Sequence, residues 1–422
     1  MFSTKSISIG RKLLIILAIA LIMRLVFNAV LPANGYIFSD VRHYDRAAVS
    51  LLQGDGWGEK YNRSPLYPLL MAGVYGLFGH SFVAMRIFEA VLGLLLCLLV
   101  FLISRRLFNA TVALIAAALA ALHPHFLLIA GMLYPTQLFT VLMALTIYLL
   151  LCADDGRYRL LLLAATVAGL AALTIPVMLF VLPFTLLWLL TAPGGWFLRV
   201  KTVTTFVIIL IAVLTPWTLR NYQKYGRLTL VRPVPHTVFP NLEDPEAQKQ
   251  RIESGFRDTT DYLKANPRGT EKDRLSVIIG NYVRHPSASL RYMVGELFHY
   301  WALFPDRLDT PSADYQQQIK QKDARMVTVD SSFWRLANTL SIMVMAPIFL
   351  LAFIGLVAAL PWKRPLYLPL GAVLGQSLGY SLIYAEVRYR IPIEPYVLML
   401  TAFGLNRVVM ALSRQKVAEE RQ

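Results

Sequence analysis

The feature that most constrains this chain is a series of apolar runs with few or no charges. Crossing the roughly 30 Å hydrocarbon core of a bilayer takes about 20 apolar residues in a helix, and several runs reach that length. Lipid offers the backbone no hydrogen-bond partner, so each crossing run must satisfy its own N–H and C=O groups as a helix. The runs therefore predict an all-α polytopic membrane protein. They lie near residues 13–31, 87–104, 136–152, 160–190, 203–217, 340–360 and 389–412.

The composition excludes an ordinary soluble protein. Of 422 residues, 56% are hydrophobic and 16% are charged, whereas a soluble domain carries about 25% charge. The mean hydropathy is +0.53. Cys97 and Cys152 both fall in apolar runs, so we expect them to be packing residues and not a disulfide.

The net charge of +16 is arranged as a membrane topology requires, and not as a nucleic-acid surface. If the N-terminus is cytoplasmic, the basic clusters at the short loops all fall on the cytoplasmic side, as the positive-inside rule expects. Both termini are then predicted to be cytoplasmic, and no nucleic-acid partner is expected. The clusters are Lys5, Arg11 and Lys12; Arg105 and Arg106; Arg157 and Arg159; Arg199 and Lys201; Lys363 and Arg364; Arg414 and Lys416.

We predict a single integral membrane domain, 1–422, with about ten spans. The first is interpreted as an uncleaved helix, because no small-residue cleavage site closes it. The short segment Thr174-Ile175-Pro176 predicts a tight turn or a kink between two spans. The spans are expected at 12–31, 82–104, 109–124, 134–152, 158–174, 176–192, 201–218, 336–360, 366–384 and 391–411.

Two polar insertions fall on the external side, at 32–81 and 222–335. In the first external loop, apolar residues at helical spacing predict an amphipathic helix on the membrane surface. The following segment 65–79 is apolar but short, which indicates an interfacial or re-entrant helix. In the large second loop, 246–285 is expected to be helical and 286–304 to be an interfacial helix. The helical spacing in the first loop is carried by Val41, Tyr44, Ala48, Leu51 and Leu52.

Carboxylates and arginines concentrate at the outer ends of the spans. Arginine binds phosphate oxygens bidentately and stays charged at any working pH, so this mixture suits a lipid-linked phosphate donor beside an acidic base. The members are Asp40, Asp45, Arg63, Arg86, Arg220, Glu386, Arg388, Arg390 and Glu394. Glu386 and Glu394 are expected to pair with the neighbouring arginines.

Two further polar features lack an assigned partner in the sequence. Arg24 lies inside the first span, where an unpaired charge costs about 2.5–3.5 kcal/mol on insertion scales. His123 and His125 form a His-x-His pair, but the sequence offers no evident third ligand, so no metal site is predicted there.

Four motifs in register resemble bacterial family 39 glycosyltransferases. The first runs from Ser39-Asp40 through Tyr44-Asp45 and Gly54-x-Gly56 to Arg63-Ser-Pro-Leu-Tyr67-Pro68 and Leu77-Phe-Gly79. The others are Leu122-His-Pro124, Pro216-Trp-Thr-Leu-Arg220-Asn221-Tyr222 with Tyr225-Gly226, and Ala385-Glu386-Val-Arg388-Tyr389-Arg390-Ile-Pro392-Ile-Glu394-Pro395.

The resemblance implies a GT-C-like helical bundle with external loop helices and a glycosyltransferase activity. It implies a polyprenyl-phosphate-sugar donor, inversion at the anomeric carbon, and a site on the external face of a bacterial inner membrane. Asp40 matches the loop acid and is expected to be the general base, with Asp45 as a second catalytic candidate. The expected substrate-binding residues are Tyr44, Arg63, Tyr67, Arg220, Arg388 and Arg390.

The chain departs from the family pattern at three places. Val41 follows Asp40 where the family often has a second acid, Gln137 stands where many members carry an acid, and Ile175 precedes Pro176 where many have arginine. A divalent metal would suit such a site, but the sequence supplies no ligand set for it. Membrane lipids and an acceptor lipid, glycan or protein are expected partners. A transporter or flippase of lipid-linked substrates, and a non-catalytic assembly protein, stay open as alternatives.

Overall fold

The computed structural model describes residues 4–36, 40–58, 61, 63–154, 156–226, 228–230, 282–283, 286–304 and 331–420. Within these ranges the chain is built from helices and short connections. The helices are α1 (Thr4–Ala29), α2 (Val41–Leu52), α3 (Leu66–Phe78), α4 (Phe82–Leu107), α5 (Ala110–Leu122), α6 (Pro124–Ile129), α7 (Pro135–Ala153), α8 (Tyr158–Thr174), α9 (Met178–Leu190), α10 (Trp196–Tyr225), α11 (Pro286–Tyr300), α12 (Ser331–Ala358), α13 (Arg364–Ser381), α14 (Val387–Arg390) and α15 (Glu394–Glu419). A 3-10 turn, Ile391–Ile393, joins the last two.

All ten predicted spans coincide with helices, which confirms the all-α prediction over the described residues. Six helices are long and apolar enough to cross a membrane: α1, α4, α7, α10, α12 and the segment that ends in α15. The other four are α5, α8, α9 and α13, with 13, 17, 13 and 18 residues. The chain is therefore an integral membrane protein, and the predicted turn after Thr174 does separate α8 from α9.

The predicted loop helices are also present. α2 packs against α3 and buries Val41, Tyr44, Ala47 and Ala48. Leu52, expected on the same buried face, is 48% exposed. α11 forms within the predicted interfacial segment 286–304, whereas nearly all of the predicted helical stretch 246–285 lies outside the described residues.

Small residues let two of the long helices approach closely. At the α12–α15 crossing, a Cβ added to Gly355 would overlap the carbonyl of Leu400, and one added to Gly404 would overlap the carbonyl of Leu351. Without a hydrophobic driving force in lipid, such close backbone packing supplies much of the helix association.

The spans are less uniformly apolar than the sequence suggested. Arg24, Glu89, Gln137 and Gln376 are fully buried within helices. Arg24 finds its partners in the carbonyls of Ala20, Ala120 and Ala121 and in Sγ of Cys97. These polar groups lie near the ends of α1, α5 and α13 and the beginnings of α4 and α7, so the polar chemistry gathers toward one end of the bundle.

We predict that Gly355→Ala will lower the thermal stability of the purified protein in detergent. Overpacking a closely fitted contact typically costs about 1–3 kcal/mol. Gly73→Ala is the matched control, because nothing lies within 4 Å of its added Cβ and alanine is the better helix former. Equal melting temperatures for the Gly355 variant and the wild type would contradict the packing described here.

Candidate functional site

Asp40 lies just before α2, in the first polar insertion, and both of its carboxylate oxygens accept hydrogen bonds. Oδ1 accepts a hydrogen bond from Nη2 of Arg63 at 2.8 Å, and Oδ2 accepts one from the hydroxyl of Tyr134 at 2.9 Å. The residue precedes α2, yet its side chain makes no capping hydrogen bond to that helix. With its side chain 30% exposed, Asp40 is held in place and still open to a small molecule.

The groups around Asp40 come from four separate stretches of the chain. Arg63, in the loop before α3, also donates to the hydroxyl of Tyr44 at 3.4 Å. Tyr134 stands just before α7, and Arg388 in α14 lies over its ring with 5.8 Å between Cζ and the ring centroid. We call Asp40, Tyr44, Arg63, Tyr134 and Arg388 the Asp40 cluster. Asp40 thus bonds Arg63 of its own loop and lies within electrostatic reach of Arg388 from a distant part of the sequence.

The charges in the Asp40 cluster favour the ionised carboxylate. Burial by itself would raise the pKa of Asp40, but the charge of Arg63, the hydrogen bond from Tyr134 and the charge of Arg388 together lower that pKa below its ordinary value. For Tyr44, burial outweighs the charge of Arg63 and raises the pKa. At neutral pH the cluster thus holds a carboxylate, two neutral phenols and two guanidinium groups.

Arg388 is itself held by its neighbours. Its Nε lies 2.6 Å from Oε2 of Glu386, and its Nη2 donates to the hydroxyl of Tyr389 at 3.2 Å. The ring of Tyr389 stacks on that of Tyr380 with 4.7 Å between centroids. The expected pairing of Glu386 with an arginine is confirmed.

Glu89 is a residue that sequence analysis missed. It is fully buried in α4, where Oε1 accepts from the hydroxyl of Tyr67 and Oε2 accepts from the backbone N–H of Leu133 at 3.2 Å. Leu133 has a positive φ of 55°, an uncommon conformation for a side chain of this kind. Glu89 therefore stabilises the turn that presents Tyr134 to Asp40.

Tyr67, the other hydrogen-bond partner of Glu89, supports the Asp40 cluster on the side of Tyr44. The ring of Tyr67 packs edge-on against that of Tyr44, with 5.4 Å between centroids, and Tyr44 bonds Arg63. Tyr67 was predicted to bind substrate, but its hydroxyl is committed to Glu89 and the residue is 1% exposed. The structure gives Tyr67 a supporting role.

Asp45 lies on the buried side of α2. Its Oδ1 accepts from the hydroxyl of Tyr75 at 3.0 Å and lies 2.7 Å from Nε2 of His80. These contacts tie α2 to α3 and to the turn before α4. The geometry thus assigns Asp45 a structural role in place of the catalytic one expected.

Arg220 stands over an aromatic group formed by Trp57, Tyr61 and Trp217. Its Cζ lies 4.6 Å from the Trp217 ring centroid, and Nη1 donates to Asn221 Oδ1 at 2.8 Å. Trp57 stacks on Tyr61 and meets Trp217 edge-on at 4.7 Å. Two of these rings come from the first external loop and one from α10, so the loop is packed onto the bundle beside Arg63.

Arg390 does not face the Asp40 cluster as expected for a substrate-binding residue. It is fully buried, its Nη1 donates to the carbonyls of Tyr300 and Ala302 at 3.0 and 2.6 Å, and its Nε donates to Glu394 Oε1 at 3.2 Å. Its predicted pairing with Glu394 is confirmed. The residue anchors α11 to the start of α15.

Beside His123 and His125 lies a carboxylate that could serve as a third metal ligand, that of Glu394. Oε1 of Glu394 lies 2.8 Å from Nδ1 of His125, and Oε2 lies 3.6 Å from Nδ1 of His123. The expectation that this His-x-His pair lacks a third ligand was wrong, because the carboxylate comes from 269 residues farther along the chain.

We predict that Glu89→Ala will destabilise the protein and disturb the Asp40 cluster. It leaves the Tyr67 hydroxyl and the Leu133 N–H buried without an acceptor, and each unsatisfied group costs about 1–3 kcal/mol. Thermal unfolding in detergent measures the loss. Leu95→Ala is the control, since Leu95 lies on the same helix and is 37% exposed. A Glu89 variant as stable as the Leu95 variant would refute this role.

A part of the chain that includes residues of the Asp40 cluster is similar to a known protein family. Residues 62–218 match the family model described as dolichyl-phosphate-mannose-protein mannosyltransferase. A search of curated proteins finds no match to the chain.

Several solved structures share the fold. The oligosaccharyltransferase of Archaeoglobus fulgidus, in its apo form, matches with a TM-score of 0.59 at 13% identity over 98% of this chain and 52% of that one. ArnT from Cupriavidus metallidurans, bound to undecaprenyl phosphate, matches with a TM-score of 0.58 at 14% identity over 93% of this chain and 60% of that one. The archaeal oligosaccharyltransferase AglB, in complex with an inhibitory peptide and a dolichol-phosphate, matches with a TM-score of 0.54 at 13% identity over 97% and 52%.

The chain thus spans only about half to three fifths of the length of these solved proteins. At such low identity the likeness establishes the fold. The protein has the fold of the GT-C membrane glycosyltransferases, and over residues 62–218 it matches the dolichyl-phosphate-mannose-protein mannosyltransferase family.

Proposed function

We propose that this protein is a glycosyltransferase that moves a sugar from a polyprenyl-phosphate-linked donor to an acceptor, with Asp40 as the general base. The observation that carries the proposal is the Asp40 carboxylate, partly open and lowered in pKa beside Arg63 and Arg388. The matched family and the solved relatives support the same donor class, since one relative is bound to undecaprenyl phosphate and another to a dolichol-phosphate.

The reaction is a single displacement at the anomeric carbon. The acceptor hydroxyl or amine attacks that carbon, the bond from the carbon to the phosphate oxygen breaks, and the bonding pair leaves with the polyprenyl phosphate. The proton of the acceptor passes to Asp40 Oδ as the new bond forms. One displacement inverts the configuration, and base catalysis of this kind contributes about 10²–10⁴-fold.

The arginines act on the leaving group. As the bond breaks, the lipid phosphate gains a negative charge, and Arg63 and Arg388 would stabilise it electrostatically. Arg63 already bonds Asp40, so a donor phosphate would compete with Asp40 for the same guanidinium. Drawing Arg63 toward the phosphate weakens its hold on Asp40, which makes the carboxylate a stronger base when the donor is bound.

The orientation in the membrane follows from the charge pattern. With the basic loop clusters in the cytoplasm, both termini lie inside and Asp40 faces the external side of a bacterial inner membrane. The donor tail would then lie among the helices with its phosphate at the outer boundary. In the aromatic group beside Arg220, the partly exposed ring of Trp57 is the one that a sugar could contact.

Replacing Asp40 with Asn is expected to abolish transfer while the fold is kept. The carboxamide oxygen can still accept the hydrogen bond from Arg63, and its NH2 group can donate to the Tyr134 hydroxyl, but the amide takes up no proton, so we expect a loss of about 10²–10⁴-fold. The assay measures sugar transfer by the purified protein from synthetic polyprenyl-phosphate sugars. The acceptor for this assay is first identified by mass spectrometry, which compares envelope glycans and glycolipids from cells with and without the protein.

Asp55→Asn is the matched control, because Asp55 is an exposed acid of the same loop and should keep wild-type turnover. Full activity in the Asp40→Asn variant would contradict the role of Asp40 as the general base. A transporter or flippase would instead move the lipid-linked sugar across vesicles without transferring it, and would do so in the Asp40 variant as well. A non-catalytic assembly protein would do neither.

The pH dependence of sugar transfer should change when the Asp40–Arg63 ion pair is removed. Because the pKa of Asp40 lies below its ordinary value, the base is ionised, and active, down to mildly acidic pH. Arg63→Gln removes the main lowering charge, so the pKa should rise and activity should fall at a higher pH than in the wild type. The measurement is kcat/KM against pH, each variant normalised to its own value at pH 8.

Arg46→Gln serves as the control for the pH profile, since Arg46 is an exposed arginine of α2. Its acid limb should coincide with that of the wild type. An Arg63 variant with an unshifted acid limb would show that another group limits the rate in acid.

A further inference from the structure

His123, His125 and Glu394 form a buried group apart from the contacts of the Asp40 cluster. His123 and His125 flank Pro124 at the beginning of α6, and Glu394 begins α15. Their ligand-type atoms, one from each residue, all lie within 4.8 Å of one another. The three residues are not used by the reaction proposed above.

His123 is the member that indicates a missing partner. It is 2% exposed, and neither Nδ1 nor Nε2 has a hydrogen-bond partner. Buried polar atoms are nearly always hydrogen-bonded, so an imidazole with two unpaired nitrogens calls for a ligand. Its Nδ1 is directed to the carboxylate, 3.6 Å from Glu394 Oε2.

We propose that His123, His125 and Glu394 bind a divalent transition-metal ion, for which Zn²⁺ is the best match. Two neutral imidazoles and one carboxylate are a common zinc ligand set, with bonds of about 2.0–2.2 Å and a fourth position for water. Two such ligand atoms on a tetrahedral ion are separated by about 3.4 Å, close to the His123–Glu394 separation. Magnesium and calcium are disfavoured, because they prefer oxygen ligands.

Binding the ion changes one hydrogen bond and leaves another in place. Nδ1 of His125 now lies 2.8 Å from Glu394 Oε1, a contact that the metal would replace as the two atoms move slightly apart. Oε1 also accepts from Nε of Arg390 at 3.2 Å. The metal would take Oε2 on the His123 side, while Arg390 keeps Oε1 and holds the orientation of the carboxylate, as outer hydrogen bonds do at metal sites.

The positive charge of Arg390 lowers the affinity of this site for a metal cation. Among the described residues that contact Glu394, Arg390 is the permanent cation, so its repulsion weakens metal affinity relative to a site with the same ligands alone. Two features limit that cost: the Arg390 Nη1 atom is bound to two carbonyls, and the metal lies on the far oxygen of the carboxylate.

The ion would serve as a clamp in the structure. It joins the α5–α6 turn to α15, and through Arg390 it reaches the carbonyls of Tyr300 and Ala302 at the end of α11. The segment 386–394 between these anchors carries Arg388 of the Asp40 cluster. The three ligands come together only in the folded chain. The free energy of metal binding would therefore add to the stability of the folded state.

The test uses full-length protein purified in detergent without a polyhistidine tag, loaded with ZnSO4 and desalted. Metal content by mass spectrometry should be about one zinc per chain in the wild type and about ten-fold less in His123→Ala and His125→Ala. His80→Ala is the matched control, since His80 also pairs with a carboxylate, Asp45, outside this group. It should retain the zinc.

Two further readouts complement the metal content, and the first uses the wild-type protein alone. Loading with Co²⁺ should give the visible absorption bands of a tetrahedral cobalt–nitrogen–oxygen site in the wild type. A chelator should lower the melting temperature of the wild type and of His80→Ala but not that of His123→Ala. Wild-type protein that retains no zinc and shows no cobalt bands overturns the proposal, as does zinc retention by a folded His123→Ala. None of these measurements involves sugar transfer, so their failure leaves the proposed function untouched.

Discussion

A carboxylate near a membrane is stable only where cations and hydrogen-bond donors replace the water it gives up. Asp40 meets this condition through Arg63, Tyr134 and the charge of Arg388. These partners come from the first loop, the start of α7 and the segment before α15, so the ion pair forms only when those stretches are packed together. The packing of this end of the bundle therefore brings the Asp40 cluster together and lowers the pKa of Asp40.

Behind this layer, a set of buried polar groups supports the surface site. Glu89 stabilises the turn before Tyr134 and orients Tyr67, while Nη1 and Nη2 of Arg24 donate to backbone carbonyls and to Cys97. Removing any one partner leaves a buried group unsatisfied, which costs more than the bond was worth. Polar side chains inside these spans are therefore compatible with a rigid enzyme scaffold and do not require a transport path.

The helices could be predicted because they depend on local properties. Apolar length places all ten helices, with bounds that differ from the observed ones by up to eight residues, and Asp40 and Arg63 belong to one short-range motif. Glu89 escaped prediction because a lone carboxylate in an apolar run has no periodicity that indicates its partners. Glu394 escaped because His125, its partner, is 269 residues away. The assignments of Tyr67, Asp45 and Arg390 differed because sequence does not show which way a side chain faces once neighbouring helices compete for it.

By itself, the sequence determined that this chain is a helical membrane protein, where its loops lie, and that carboxylates and arginines concentrate near the ends of its spans. Those properties follow from apolar run length and from charge placement, which each segment carries independently. Only the tertiary structure decided that Arg63 and Arg388 flank Asp40, that Glu89 supports Tyr134, and that His123 faces Glu394. The reason is that a hydrogen bond or ion pair depends on distances of about 3 Å between side chains, and those distances arise from packing between segments far apart in the chain.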